Sequence, residues 1–159
     1  MKICCFTGHR HIAPAHLNLL PSVLEQEILQ LMEGGVRVFR NGGAIGFDSL
    51  SALKVIAMRQ RYPELELEMF LPCRNQDAKW SQAQRENYAY ILSQADRIHY
   101  VSERYTRFCM LDRDRRMVDG ADVCVAYCLR TEGGTGYTCQ YALKKDVEIH
   151  NLARRLPRL

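Results

Sequence analysis

The chain has 159 residues, 47% of them hydrophobic and 25% charged, with a net charge of +4. Those values fit one packed domain and exclude a disordered chain or one that needs a metal or disulfide staple to fold. No apolar run approaches the ~18 residues of a membrane span, and no secretory leader pattern follows Met1-Lys2.

Apolar runs of strand length recur along the chain, each followed by a turn and a helix-length segment. Lys2 to Phe6 reads as the first strand. Residues 17 to 33 read as a helix with Leu20, Leu24, Ile28 and Leu31 on one face, stopped by Gly34-Gly35. Val36 to Arg40 is a second strand, Asn41-Gly42-Gly43 a sharp turn, and Phe47 to Arg61 a helix. Leu65 to Leu71 is a third strand, and Trp80 to Ala95 a helix with Ser81 as N-cap. Arg97 to Val101 is a short strand, and Arg104 to Val118 a basic helix. Asp122 to Cys128 is the most apolar strand, expected at the sheet centre with both faces buried. Thr138 to Lys144 is a helix and Val147 to His150 a last strand. This alternation predicts an α/β fold: a three-layer, Rossmann-like domain with a doubly wound, mainly parallel sheet. Residues 1–150 are expected to form the single domain, and the basic stretch 151–159 a solvated, frayed tail.

In such a sheet ligands bind beyond the carboxyl ends of the strands, so the strand-to-helix turns carry the functional reading. Thr7-Gly8-His9-Arg10 follows the first strand; Gly8 lets backbone N–H groups approach an anion and Arg10 adds a fork of donors. Gly42, Gly43 and Gly46 form a Gly-Gly-x-x-Gly turn, with Asp48 in the first turn of the next helix. Asp48 reads equally as macrodipole compensation or as a ribose hydroxyl acceptor or acid/base. Gly133-Gly134-Thr135, with Thr138, forms a third glycine- and hydroxyl-rich turn suited to phosphate. Three such turns together point to a nucleotide-like small molecule.

Several residues read more simply as structure. Trp80 and Tyr88 could stack a base but suit core packing better. His9, His11 and His16 complete no ligand spacing, so neither a metal nor another cofactor is expected. Seven cysteines without a Cys-x-x-Cys read as structural thiols in a reducing, cytoplasmic compartment. The modest charge and few aromatics argue against nucleic acid as a partner.

These motifs resemble a known family. Cys5 to Arg10, Gly42 to Asp48, Leu71-Pro72-Cys73-Arg74 with Gln76 and Trp80, Tyr100 to Glu103, Met117-Val118-Asp119, and Gly133-Gly134-Thr135 with Tyr137-Thr138 look like the YpsA-like family of the SLOG superfamily. DprA/Smf and the lonely-guy phosphoribohydrolases belong to the same superfamily. The resemblance runs over roughly residues 3 to 150, and implies a Rossmann-like fold, a nucleotide-derived ligand and, in some relatives, a homodimer. Lonely-guy enzymes cleave N-glycosidic bonds of nucleoside monophosphates with a glutamate and an assisting arginine. Arg113 stands at the arginine position, but Gln140 stands at the glutamate position. An amide cannot take a proton from water or stabilise an oxocarbenium ion as a carboxylate does. The resemblance therefore implies a sensory or regulatory nucleotide-binding domain. An N-glycoside hydrolase or ribosyl transferase using a relocated carboxylate such as Asp48 is the alternative, and single-stranded DNA binding a third. Arg113 is expected to meet either a ligand phosphate or an internal carboxylate, Asp48 or Asp119.

Overall fold

A computed structural model describes all 159 residues. Six strands form one parallel sheet: β1 (Lys2–Gly8), β2 (Val36–Asn41), β3 (Glu66–Leu71), β4 (Arg97–Tyr100), β5 (Val123–Tyr127) and β6 (Glu148–Asn151). Their spatial order is β4-β3-β2-β1-β5-β6, and every neighbouring pair is parallel. The chain starts in the middle, winds outward to β4, then crosses back to lay β5 against β1. The order therefore reverses between β1 and β5, which is where a doubly wound sheet opens a crevice.

Helices α1 (Leu20–Glu33), α2 (Phe47–Met58) and α3 (Gln82–Gln94) cover one face; α4 (Cys109–Val118) and α5 (Gly133–Lys144) cover the other. The first face holds a cluster of 25 buried apolar residues, with Phe6, Phe39 and Phe47 packed ring to ring at its centre. The second holds only 7, and is completed by polar pairing. There Glu68, nearly buried in β3, meets Arg40, Arg97 and His99 from the neighbouring strands. Arg40 continues to the carbonyls of Arg116, Met117 and Asp119 and so closes the C-terminal end of α4. β5 is buried along its whole length, as its composition predicts.

Element ends differ from the sequence reading in instructive ways. β1 runs on through Thr7 and Gly8, because both pair in register with β5. α1 starts only at Leu20, where Pro21 fits the first turn, and α2 stops at Met58 rather than Arg61. α3 has the expected cap: Ser81 and Gln84 form a reciprocal capping box. α4 begins at Cys109, not Arg104. Residues 103–108 are exposed, so nothing rewards ordering them as helix until Cys109 reaches the core. α5 begins five residues early, at Gly133 instead of Thr138. Its glycine-rich first turn is held by packing that offsets poor helix propensity: Gly136 lies against the Thr131 carbonyl, and Thr138 donates to the Gly134 carbonyl.

The C-terminal stretch is docked rather than frayed. Leu152 and Leu156 are buried, Arg155 pairs with the buried Glu27 of α1, and a 3₁₀ turn spans Leu152–Arg155. His16 donates through Nε2 to the Pro157 carbonyl (2.7 Å) and accepts at Nδ1 from the Tyr127 hydroxyl (2.8 Å). The same hydroxyl oxygen accepts the Ala13 N–H, which ties the tail to the end of β5. Trp80 and Tyr88 meet edge to face at 5.1 Å, Tyr88 being buried beside Gly43, so this pair packs the fold.

Candidate functional site

A cleft of 680 Å³ opens at the carboxyl ends of β1 and β5, at the point where the strand order reverses. Thr7, Gly8, Arg10, Asp48, Arg113, Gly133, Gly134 and Thr135 line it, so the first and third turns of the sequence reading meet there. Gly42, Gly43, Gly46 and Thr138 do not line it. They support the residues that do.

The glycines divide by what surrounds them. A Cβ at Gly8 would stand 2.4 Å from the Phe47 ring, and one at Gly46 would stand 2.3 Å from the Arg10 carbonyl oxygen. Gly46 also has φ +79, which side chains rarely adopt. These two glycines let the β1 and β2 turns cross, with the Phe47 N–H donating to the His9 carbonyl. Gly134 is different. A Cβ there would meet nothing within 4 Å, so no protein neighbour requires glycine at that place.

α5 begins against the cleft with Glu132 as its N-cap residue. No side chain caps this end, and its first turn carries no acid. The N–H groups and positive dipole end are thus open to an anion. α2 contrasts with it: Asp48 sits in the first turn and accepts the Ala44 N–H (3.1 Å). Asn41 holds the turn before α2, accepting from Gly43 N–H and donating to the Asp48 carbonyl and the Ser51 hydroxyl.

The deep wall of the cleft is a charge cluster. Arg113 is 6% exposed; its Nε donates to Asp114 (2.8 Å) and its Nη1 to the Gly42 carbonyl (2.6 Å). The internal partner is therefore Asp114, not Asp48 or Asp119 as expected. One residue along the helix keeps the carboxylate within reach of the guanidinium. Asp48 still lies close by: a Cβ on Gly42 would be 2.7 Å from Arg113 Nη1 and 3.0 Å from Asp48 Oδ2. Burial raises the Asp48 pKa to about 6, against the opposing pull of Arg113 and the Ala44 N–H. Burial likewise pushes Asp114 up despite Arg113. One guanidinium thus stands beside two buried carboxyls, and burial favours the protonated form of both.

His9 is 7% exposed and accepts the Leu129 N–H at Nε2 (2.8 Å), which leaves Nδ1 to carry its proton. Burial, then Arg130, lowers its pKa, so the ring is a neutral donor. Asp114 and Arg130, both in the cleft lining, were not singled out from sequence. Asp114 sits among arginines at 113, 115 and 116, where it reads as one acid in an exposed basic helix. Its burial with Arg113, Cys109, Met117 and Val118 is the helical face that identifies it.

A parallel, three-layer sheet with a crevice at its switch point defines a Rossmann-like domain. Within that class, residues 4–155 match the YspA SLOG family, and the chain belongs to it. A UPF0398 protein of Halalkalibacterium halodurans is 30% identical over 115 residues, covering 65% of this chain and 59% of the relative. A UPF0398 protein of Bacillus cereus is 29% identical over 114 residues, with 65% and 60% covered. These matches span about three fifths of each relative's length. Among solved structures, DNA processing protein A of Streptococcus pneumoniae superposes with a TM-score of 0.66 at 16% identity, over 93% of this chain and 49% of that one. The same protein of Helicobacter pylori, described for its single-stranded DNA binding mode, gives 0.66 at 18% identity, over 93% and 63%. At such identity the likeness is one of fold. No helix is long and apolar enough to cross a membrane.

Proposed function

We propose that this domain binds a phosphate-bearing, nucleotide-derived small molecule, with the phosphate at the start of α5 and the sugar toward Asp48 and Asp114. The observation that carries the reading is the uncapped N-terminus of α5 opening into the switch-point cleft beside Gly134. Thr7, Gly8, Arg10 and Thr135 contribute the remaining phosphate-side contacts. Arg113 acts first as the tie between the two carboxyls. Residues 1–150 form the ligand-binding unit in this reading. Isothermal titration with AMP and ADP-ribose tests it: saturable binding below millimolar concentration is expected, weakened tenfold or more (about 1.4 kcal/mol) by Gly134→Val. Absence of heat with both compounds at millimolar concentration overturns it.

The buried carboxyls of the deep wall support a second reading, hydrolysis of an N-glycosidic bond with Asp48 as the acid/base group. Its position in the cleft and a pKa near 6 suit that role. Release of free base from nucleoside monophosphates by the native chain, abolished in Asp48→Asn, is the expected result; release that survives the substitution excludes Asp48. A nucleic-acid reading gains from the loop before α4. Tyr105 and Phe108 are 64% and 56% exposed there, with Arg107 over the Phe108 ring. Strand binding on that loop requires anisotropy with single-stranded oligonucleotides to fall steeply with salt.

A further inference from the structure

The buried polar side chains of this domain are bonded to protein almost without exception. Only Thr7 and Thr135 have side chains that meet no protein partner, and His9 uses one of its two ring nitrogens. These three residues are 7%, 8% and 7% exposed, and all three line the switch-point cleft. Their unused atoms are not sealed in the core, because the fully enclosed side-chain atoms without a partner are Arg59 Nε and Gln76 Oε1 alone. They face the open space that these residues border, which is the cleft. A buried donor without a partner disfavours folding, so several of them on one wall mark a place where a ligand supplies the acceptors.

His9 is the most constrained of the three. Its carbonyl accepts the Phe47 N–H (3.1 Å), which fixes its backbone against the start of α2. Its ring meets Tyr127 edge to face at 5.8 Å, and its Nε2 accepts the Leu129 N–H (2.8 Å). A backbone N–H can only donate, so Nε2 carries no proton and Nδ1 carries it. The Thr7 and Thr135 hydroxyls can rotate, and each can donate or accept. The His9 Nδ1–H can only donate, and in one direction.

We propose that His9 is a ligand-binding residue whose Nδ1–H donates to a phosphoryl oxygen, beside the Thr7 and Thr135 hydroxyls and the first N–H groups of α5. The assignment rests on the phosphate reading above and adds to it a neutral donor held at both ends. A fixed donor also selects: a ligand that presents an N–H or O–H donor there meets donor with donor and is disfavoured. Through Leu129 the same ring ties the turn after β1 to the turn after β5, so the cradle is set before the ligand arrives. The opposing view is that His9 serves only as this tie and that Nδ1 has no task.

His9→Gln separates the two roles. Glutamine offers a carbonyl oxygen near the place of Nε2 and no donor at the place of Nδ1, so it keeps the Leu129 tie and loses the ligand bond. Without ligand the variant should melt within about 2 °C of the parent. Its affinity for AMP and ADP-ribose, measured by calorimetry, should fall tenfold or more, the weight of one hydrogen bond to a charged group. In the unmodified full chain, labelled with nitrogen-15 at histidine, long-range proton–nitrogen spectra at pH 7.5 should show the His9 proton on Nδ1. That nitrogen resonance should move on saturation with AMP and stay in place with adenosine, which lacks the phosphate. A His9 proton on Nε2, or an Nδ1 resonance unmoved when AMP binds, overturns the assignment whether or not the variant folds. A shift that adenosine reproduces gives Nδ1 to the nucleoside and overturns the phosphoryl contact. Equal affinity in the parent and a folded His9→Gln also overturns the His9 contact and leaves the phosphate reading standing. No heat from the parent with either nucleotide removes the phosphate reading, and the His9 contact with it.

Discussion

Replacing Arg113 with alanine removes the only cation on the deep wall that is bonded to protein. Three bonds vanish, to Asp114 at 2.8 Å, to the Gly42 carbonyl at 2.6 Å and a weak one to the Met110 sulfur at 3.7 Å. Asp48 and Asp114, 6% and 8% exposed, are left without the charge that holds their pKa values down. Stranding a buried ionic partner costs about 3 kcal/mol at neutral pH. For a domain of this length that corresponds to a fall in Tm of about 6–12 °C. The deficit should also depend on pH in a definite direction. Without Arg113 both carboxyls are pushed up further, Asp48 from about 6, so acidification neutralises buried charge and the penalty shrinks toward pH 5. Thermal melts of the ligand-free variant and parent at pH 5 and pH 7.5 measure both quantities. A change below about 2 °C at pH 7.5, or an equal deficit at both pH values, refutes the reasoning and returns Arg113 to the ligand as its main partner.

The other predictions rest on separate features. Asp48 has its pKa raised to about 6 from an unfolded value near 3.8, so its contribution to stability is present below the unfolded value and lost as pH rises through 6. Asp48→Asn removes a cost of about 3 kcal/mol above pH 6, and its Tm should equal or exceed the parent's at pH 8; parallel pH profiles for the two proteins would contradict this. Gly8→Ala forces a methyl into the Phe47 ring and should cost about 1–3 kcal/mol, whereas Gly134→Ala, facing open space, should melt within about 2 °C of the parent; urea titrations of both distinguish packing glycines from the free one. Glu68, despite burial, has its pKa lowered by Arg97, His99 and Arg40. Its stabilisation is present above the ordinary carboxylate range and lost as pH falls through its lowered pKa, so Glu68→Gln should destabilise by about 2 kcal/mol at pH 7 and progressively less toward pH 3. A deficit that does not shrink with acidification would refute that assignment.

The sequence by itself determined the fold class, because strand-length apolar runs alternating with helical periodicity leave a covered parallel sheet as the economical arrangement. It also marked the turns after β1 and β5, since glycines and hydroxyls after strands are local signals, and both turns line the switch-point cleft. The extra turn of α5 was not legible: its glycines argue against helix, and only the docking of Gly136 on Thr131 outweighs that propensity. Nor was the docked tail, whose arginines read as solvated until Glu27, 128 residues away, supplies a buried partner. Which glycines face the open cleft and which face a ring was decided by tertiary packing alone. The same holds for the charge cluster on the deep wall. Asp48, Arg113 and Asp114 acquire their shared chemistry because the β2 turn and α4, about 70 residues apart in the chain, close on the same buried point, and the distances that set a pKa exist only after they do.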